Sequence, residues 1–347
     1  MTLRSNLKIG PPIGAGFFGE VFSATDDAHG TVAVKIQGKL PFEADADWQL
    51  RRNSHLAEGQ RLSRAKHANV VQIHTILEDD ASDAVLIVMD LCPGGSLQSR
   101  FELDPMSLAE VRKYTTQVTM GLVALHSRQM LHRDIKPGNI LLNRQGTAQI
   151  GDFGLVTDNI ILGYGSATGY SDHLSPEVLN GGGTSVKSDI WALGMTMYRL
   201  LHGSEWYSKL PFPPRNVVGK GGFAKSLPWL PHIPQAWRTV IRTMMNDDPG
   251  ARYQNGSGVL RAFARLVTTP QWQCSVRPGQ ITWRHQAKGR NYFVDWTETS
   301  SRKYDWAAWS EPVGQGNRRS FGKSKNLDYG AAERELNRLF ATKLANV

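Results

Sequence analysis

Three stretches of this chain carry residues whose types and spacing suit phosphate chemistry. The first is Gly14-Ala15-Gly16-Phe17-Phe18-Gly19-Glu20-Val21. Glycine lets a backbone approach a phosphate that a Cβ would obstruct. The G-x-G-x-x-G pattern also occurs in ordinary turns and dinucleotide sites, so alone it decides little. The second stretch is Val32-Ala33-Val34-Lys35, with Lys35 21 residues after Gly14. A lysine in an apolar strand is costly unless an anion pairs with it. An edge lysine whose head reaches solvent is the alternative, and the glycine segment upstream favours the phosphate-binding reading. The third stretch is His132-Arg133-Asp134-Ile135-Lys136-Pro137-Gly138-Asn139, with Asp152-Phe153-Gly154 beginning 18 residues after Asp134.

Taken in this order, the motifs resemble the eukaryotic-type (Hanks-type) serine/threonine protein kinase family, and their style resembles its bacterial members. Ser175-Pro176-Glu177 stands where that family has Ala-Pro-Glu. Ser188-Asp189-Ile190-Trp191-Ala192-Leu193-Gly194 resembles its central helix, and Asp248-Pro249-Gly250-Ala251-Arg252 its late arginine motif. The resemblance covers roughly residues 7–268. It implies an α+β, two-lobed protein kinase fold, with a β-rich small lobe, a helical large lobe and ATP between them. The expected division is a kinase domain over 7–269 (small lobe to about 91, large lobe from 92) and a separate module over 270–347.

Phosphoryl transfer spreads charge over the phosphoryl oxygens, so positioning and cations do most of the catalysis. On that basis Lys35 is expected to hold the α/β-phosphates, and a carboxylate must hold Lys35. Glu58 is the candidate, because it lies on a predicted helix at 45–65; Glu43, Asp45 and Asp47 sit too early. Asn139 and Asp152 are expected to bind Mg2+, which favours hard oxygen ligands. Asp134 would accept or orient the substrate hydroxyl proton. The resemblance further implies that Lys136 contacts the γ-phosphate, as in serine/threonine kinases. It implies that Gly14, Gly16, Phe18, Gly19, Val21 and Ala33 enclose the nucleotide. Met89 would be the gatekeeper, with Asp90, Leu91 and Cys92 as a hinge that reads adenine through backbone groups. Glu177 and Arg252 are expected to form a buried ion pair, and Asp189 to cap the catalytic-loop backbone.

Some positions depart from the family pattern. Between Gly165 and Glu177 the family runs G-T-x-x-Y-x-A-P-E, whereas here Thr168 lies nine residues before Glu177. Either two residues are inserted or Tyr170 replaces the usual threonine. Arg133 often pairs in the family with a phosphorylated activation segment. Thr157, Ser166, Thr168 and Ser171 are the candidate acceptors here, and a segment ordered without phosphorylation is the alternative. Gly138 and Ser96 stand where kinases that prefer basic substrates often carry glutamate.

The elements that must position these groups are legible in outline. Residues 7–36 read as a short antiparallel meander, 70–77 and 84–91 as strands, and 234–268 as further helices. Ser107 and Glu110 form a capping-box pattern ahead of a long helix. Segment 188–202 is apolar nearly all round and stops at Gly203, as a buried helix does.

Beyond a linker at 268–273, residues 271–347 hold 13 Lys/Arg against 7 Asp/Glu, a large part of the net charge of +9. They also hold five of the ten tryptophans: Trp272, Trp283, Trp296, Trp306 and Trp309. Ile281–His285 and Asn291–Thr297 read as a β-hairpin about a glycine turn. Leu336, Leu339, Phe340 and Leu344 mark an amphipathic helix. A module that docks a partner or substrate is the favoured reading of this tail. Binding of nucleic acid through its basic and aromatic residues is the second.

No run approaches 18 apolar residues and the N-terminus has no apolar core, so neither a membrane span nor a secretory signal is expected. Cys92 and Cys274 have no zinc-type spacing, and a reducing, cytoplasmic setting is expected. The rival readings are an inactive kinase-fold scaffold and a small-molecule kinase of related fold. Intact catalytic positions oppose the first. Lys136, the Ser-Pro-Glu segment and the arginine motif oppose the second.

Overall fold

A computed structural model describes residues 6–16, 19–63, 65–79, 83–151, 173–210, 217–300 and 302–347, with the side chains of Ala15, Glu58 and Arg61 outside that description. The expected meander is β1 (Lys8–Gly16), β2 (Gly19–Asp26) and β3 (Gly30–Gln37), paired antiparallel in sequence order. Gly19 opens β2 at φ 148°, and a Cβ there would collide with the carbonyl oxygen of Ile36. Only glycine fits that approach. β4 (Ile73–Asp79) and β5 (Ala84–Asp90) complete a sheet of order β1-β2-β3-β5-β4. Helix α1 (Asp45–Ser63) packs on β4 and β5.

The large lobe follows as α2 (Leu97–Leu103), α3 (Leu108–His126), the short pair β6 (Ile140–Leu142) and β7 (Ala148–Ile150), α4 (Val186–Tyr207), α5 (Gln235–Met244) and α6 (Gly256–Ala264). The capping box of α3 is formed: Ser107 Oγ accepts from Glu110 N, and the Glu110 carboxylate accepts from Ser107 N. Helix α4 is buried along nearly its whole length. It breaks at Gly203, φ 73°, where the backbone closes on Pro105.

The tail is larger in structure than a hairpin and a helix. Strands β8 (Gln273–Arg277), β9 (Gln280–Ala287), β10 (Arg290–Ser300), β11 (Lys303–Pro312) and β12 (Arg319–Leu327) form one antiparallel meander. Helix α7 (Tyr329–Ala341) packs on β11 and β12. The predicted hairpin is β9–β10, turning at Lys288-Gly289 with both residues at positive φ, as a two-residue hairpin requires. The other strands carry weaker signals. β8 has five residues, β11 turns Trp306, Ala308 and Ser310 inward, and β12 is a charged, largely exposed edge.

The tail and the large lobe share one hydrophobic core. Phe340 meets Trp272 and Trp283 edge to face at 5.3 and 5.2 Å. Trp283 Nε1 donates to His232 Nδ1 at 2.9 Å, and Arg238 Nη2 donates to Asn337 Oδ1 at 2.7 Å. Arg277 grips Asp104 with its two terminal guanidinium nitrogens at 2.6 and 3.0 Å. No helix among the described residues is long and apolar enough to cross a membrane.

Candidate active site

The small-lobe residues singled out from the sequence fall on three adjacent strands. Val21 of β2 lies opposite Lys35 of β3, and Ala33 lies opposite Met89 of β5. Asp90 ends β5 opposite Val32, and its carboxylate meets His74 Nε2 at 2.8 Å. Gly14 and Gly16 lie in β1, where Gly16 faces Gly19 across the hairpin. Phe18 lies outside the described residues.

Lys35 is 8% exposed. Its charge reaches helix α1: burial first, then the Arg51 and Lys35 cations, push His55 down to about 3. Glu58 is one turn further along that helix, its side chain outside the described residues. Two of the alternative carboxylates are engaged elsewhere. Glu43 takes Arg51 in a bidentate pair at 2.8 and 2.7 Å, and Asp45 takes Lys39.

Beyond β5, Cys92 Sγ donates to Gln149 Oε1 at 3.4 Å. Burial, with the Asp90 charge adding to it, pushes that thiol up to about 11, so it stays protonated. Gly94 and Gly95 then exchange backbone hydrogen bonds with Leu142, which ties this connection to β6.

The loop from His132 to Asn139 is held by three anchors. Asp189, 1% exposed at the start of α4, accepts from the backbone N–H of His132 at 3.0 Å and of Arg133 at 2.8 Å. His132 Nδ1 accepts from Asp134 N at 3.3 Å, so its Nε2–H donates to Gly151 O at 3.1 Å. Gly151 N donates in turn to Asn139 O at 2.9 Å. The loop is thus stitched to the end of β7, directly before Asp152, which itself lies outside the described residues.

Within this frame Asp134, 6% exposed, is enclosed by donors. Its Oδ2 lies 2.9 Å from Lys136 Nζ and accepts from Asn139 Nδ2 at 2.8 Å. His173 Nε2 lies 2.9 Å from Oδ1. Burial alone would push this carboxyl up, but the His173 and Lys136 contacts outweigh it and hold it below the usual carboxylate range. The result is an ionised carboxylate beside an ammonium, able to accept a proton next to a site for negative charge. Asn139 spends its amide nitrogen on Asp134, which leaves its carbonyl oxygen as the end that could meet a hard cation.

The expected ion pair is formed. Arg252 reaches both oxygens of Glu177 at 2.7 Å, with the arginine side chain wholly buried. The candidate acceptors Thr157, Ser166, Thr168 and Ser171, with Tyr170, lie outside the described residues.

A protein kinase domain family model matches residues 7–262. The chain belongs to the protein kinase family. Within the family, this kinase is 31% identical over 247 residues to the hormonally up-regulated neu tumor-associated kinase homolog A of Xenopus laevis, covering 70% of this chain and 35% of that protein. It is 34% identical over 213 residues to the cell cycle serine/threonine-protein kinase CDC5/MSD2 of Saccharomyces cerevisiae, covering 59% of this chain and 28% of that protein. It is 31% identical over 253 residues to the serine/threonine-protein kinase PrkC of Bacillus subtilis, covering 70% of this chain and 37% of that protein. The kinase therefore spans well under half the length of these relatives. His173 is the site residue that sequence reasoning missed. Its signal was its place four residues before Glu177, where the family pattern has tyrosine.

Proposed function

We propose that the chain transfers the γ-phosphate of ATP to a serine or threonine hydroxyl of a protein substrate. The observation that carries this reading is the Asp134 carboxylate, buried, ionised and fixed 2.9 Å from the Lys136 ammonium. Asp134 takes the substrate hydroxyl proton as the oxygen attacks, and Lys136 offsets charge on the phosphoryl oxygens. Lys35 holds the α/β-phosphates with Glu58 as its partner. The glycine segment Gly14–Gly19 covers the phosphates, with Phe18 as part of that cover. Val21, Ala33, Met89, Asp90 and Cys92 enclose the adenine. Asn139 and Asp152 would hold magnesium, which supplies charge neutralisation at the transferring phosphoryl group. Phosphate transfer should disappear on chelation of magnesium and in Lys35→Ala, while Lys136→Ala keeps ATP binding. Full activity without a divalent cation would contradict the reading.

We divide the chain into a catalytic domain over 7–269 and a module over 270–347 that docks a protein segment. A cavity of about 330 Å³ between the two supports docking, lined among others by Trp206, Leu210, Ile281, Trp296 and Tyr304. Four of the five tail tryptophans are buried in the shared core, which removes them as stacking platforms for bases. Filling the cavity by Gln280→Trp should weaken phosphorylation of the folded protein substrate and spare that of a short acceptor peptide. Salt-dependent retention of the chain on single-stranded nucleic acid would favour the other reading. Control through the segment from Asp152 to Glu177 rests on Arg133 beside Asp134. Mapping phosphate to Thr157, Ser166, Thr168 or Ser171, with activity rising as it accumulates, tests it. A cytoplasmic setting belongs to the same reading.

A further inference from the structure

Helix α1 buries a cation on the face it packs against the sheet. Trp48, Arg51, His55 and Leu62 are its buried large side chains, and their spacing puts them on one helix face. A guanidinium on such a face is tolerated only when an anion answers it. Glu43, in the connection between β3 and α1, is that anion. Arg51 Nε donates to Glu43 Oε1 at 2.8 Å, and Nη2 donates to Oε2 at 2.7 Å. The hydrogen bonds from Arg51 hold the Glu43 carboxyl below its usual range against the opposing effect of burial. Nη2 also donates to the carbonyl of Gly38, the residue after β3, at 2.9 Å. The guanidinium carbon lies 4.5 Å from the centre of the Trp48 ring. One side chain thus ties the second turn of α1 to the end of the strand that carries Lys35. A buried ion pair adds little net stability over an aliphatic residue of the same size. What the bidentate fork adds is geometry, because it admits one orientation of the two groups. Position 58 falls on the same helix face by its spacing, about 10 Å along the axis from Arg51. A rotation or slide of α1 at Arg51 is therefore carried to Glu58.

We propose that Arg51 is a positioning residue for phosphoryl transfer: its clamp on Glu43 and Gly38 sets the rotation and height of α1 against β3, and so the place of Glu58 relative to Lys35. The proposal rests on the reading of Glu58 as the partner of Lys35. An error of about 1 Å in a group that orients substrate can cost about a hundredfold in rate, which is why the setting of the helix matters.

The test follows initial rates of phosphate transfer to an acceptor peptide, with ATP varied. It compares the full chain with Arg51→Met, Glu43→Gln, Glu58→Ala and the double variant of Arg51→Met with Glu58→Ala. Methionine keeps apolar bulk at position 51 without the fork. Each rate is taken below the thermal midpoint of its own variant, so that it refers to folded protein. Arg51→Met should lose about tenfold to a hundredfold in kcat/KM for ATP. Glu43→Gln keeps the shape and one acceptor oxygen, and should lose about threefold to tenfold. In the Glu58→Ala background the loss at Arg51 should shrink to less than about twofold, because residues that act through one another are not additive. If Arg51→Met does not fold, Glu43→Gln takes its place in both backgrounds. A merely structural role gives the same proportional loss with and without Glu58, and that result would overturn the proposal. A clamp variant as fast as the wild type would overturn it too. Loss in Glu58→Ala with no effect at the clamp sinks this inference alone. Full activity in Glu58→Ala sinks the reading of Glu58 beneath it, and this proposal with it.

Discussion

The carboxylate of Asp189 accepts the backbone N–H of Arg133 at 2.8 Å, and Arg133 holds a left-handed backbone at φ 69°. A bulky non-glycine residue adopts that conformation only when its surroundings impose it. Asp189 imposes it from α4, gripping His132 N with its other oxygen and His126 Nε2 at 2.8 Å. The His132–Asn139 loop is therefore strained into place from α4. Asp189→Asn replaces one acceptor oxygen by a donor. It should cost about 2–3 kcal/mol, read as a thermal midpoint lower by roughly 4–10 °C, and slow transfer without changing the affinity for nucleotide.

The Glu177–Arg252 pair answers differently to its two ends. Removing the carboxylate strands a guanidinium whose side chain is wholly buried. Glu177→Ala should cost about 3 kcal/mol, since an uncompensated buried charge is dearer than the pair is valuable. The double variant Glu177→Ala with Arg252→Met should be more stable than Glu177→Ala alone. Chemical denaturation of the three proteins checks the order, and a double variant less stable than the single one would contradict it.

The tail is part of the core. Trp283 is fully buried and donates to His232. Trp283→Ala should cost about 3–5 kcal/mol. Trp309 is half-buried, stacked on Phe293 at 5.2 Å, and Trp309→Ala should cost only about 1 kcal/mol. Equal, small losses in the two variants, read by thermal unfolding, would mean that the tail folds apart from the lobe. By the same argument, a chain ending at Thr269 should melt lower than the full chain.

Acid should loosen the same interface. Burial, with Arg238 adding to it, pushes His232 down to about 3, and burial likewise pushes His202 to about 3. Both rings accept an N–H in the folded protein, His232 from Trp283 and His202 from Leu230 N at 3.3 Å. In the unfolded chain they charge near 6.5. The folded state thus resists a proton that the unfolded state takes up. Stability from these groups is complete above about pH 6.5 and is lost as the pH falls from there towards 3. Each ring contributes a slope of about 1.4 kcal/mol per pH unit within that window. Thermal midpoints between pH 7.5 and 5 should fall, and fall less in His232→Asn.

Much of the site was legible in the sequence because its chemistry leaves few choices of residue. Glycines at a close backbone approach, a lysine in an apolar strand and a spaced Asp-Lys-Asn set are written in residue type, and Lys35, Asp134, Lys136 and Asn139 needed only their order to be read. The buried helix at 188–202 was equally plain, because apolar residues on every side admit one environment. The tail was harder to read. Strand β12 is a polar edge, β11 turns a serine and an alanine inward, and the pairing of the two shifts register twice, so the period-two signal fades. His173 was missed because its meaning is a contact across the fold. Asp134 lies 39 residues earlier in the chain, and nothing in the local pattern announces their meeting.

The measurement that bears most directly on the account is transfer of labelled γ-phosphate to a serine/threonine acceptor, with magnesium present, by the full chain and by Asp134→Asn. The amide keeps the shape of the side chain and removes its capacity to take the proton. A loss of about 10²- to 10⁴-fold in kcat with nucleotide binding retained is the predicted result. Transfer undiminished in Asp134→Asn would contradict the assignment of this carboxylate, and with it the mechanism proposed here.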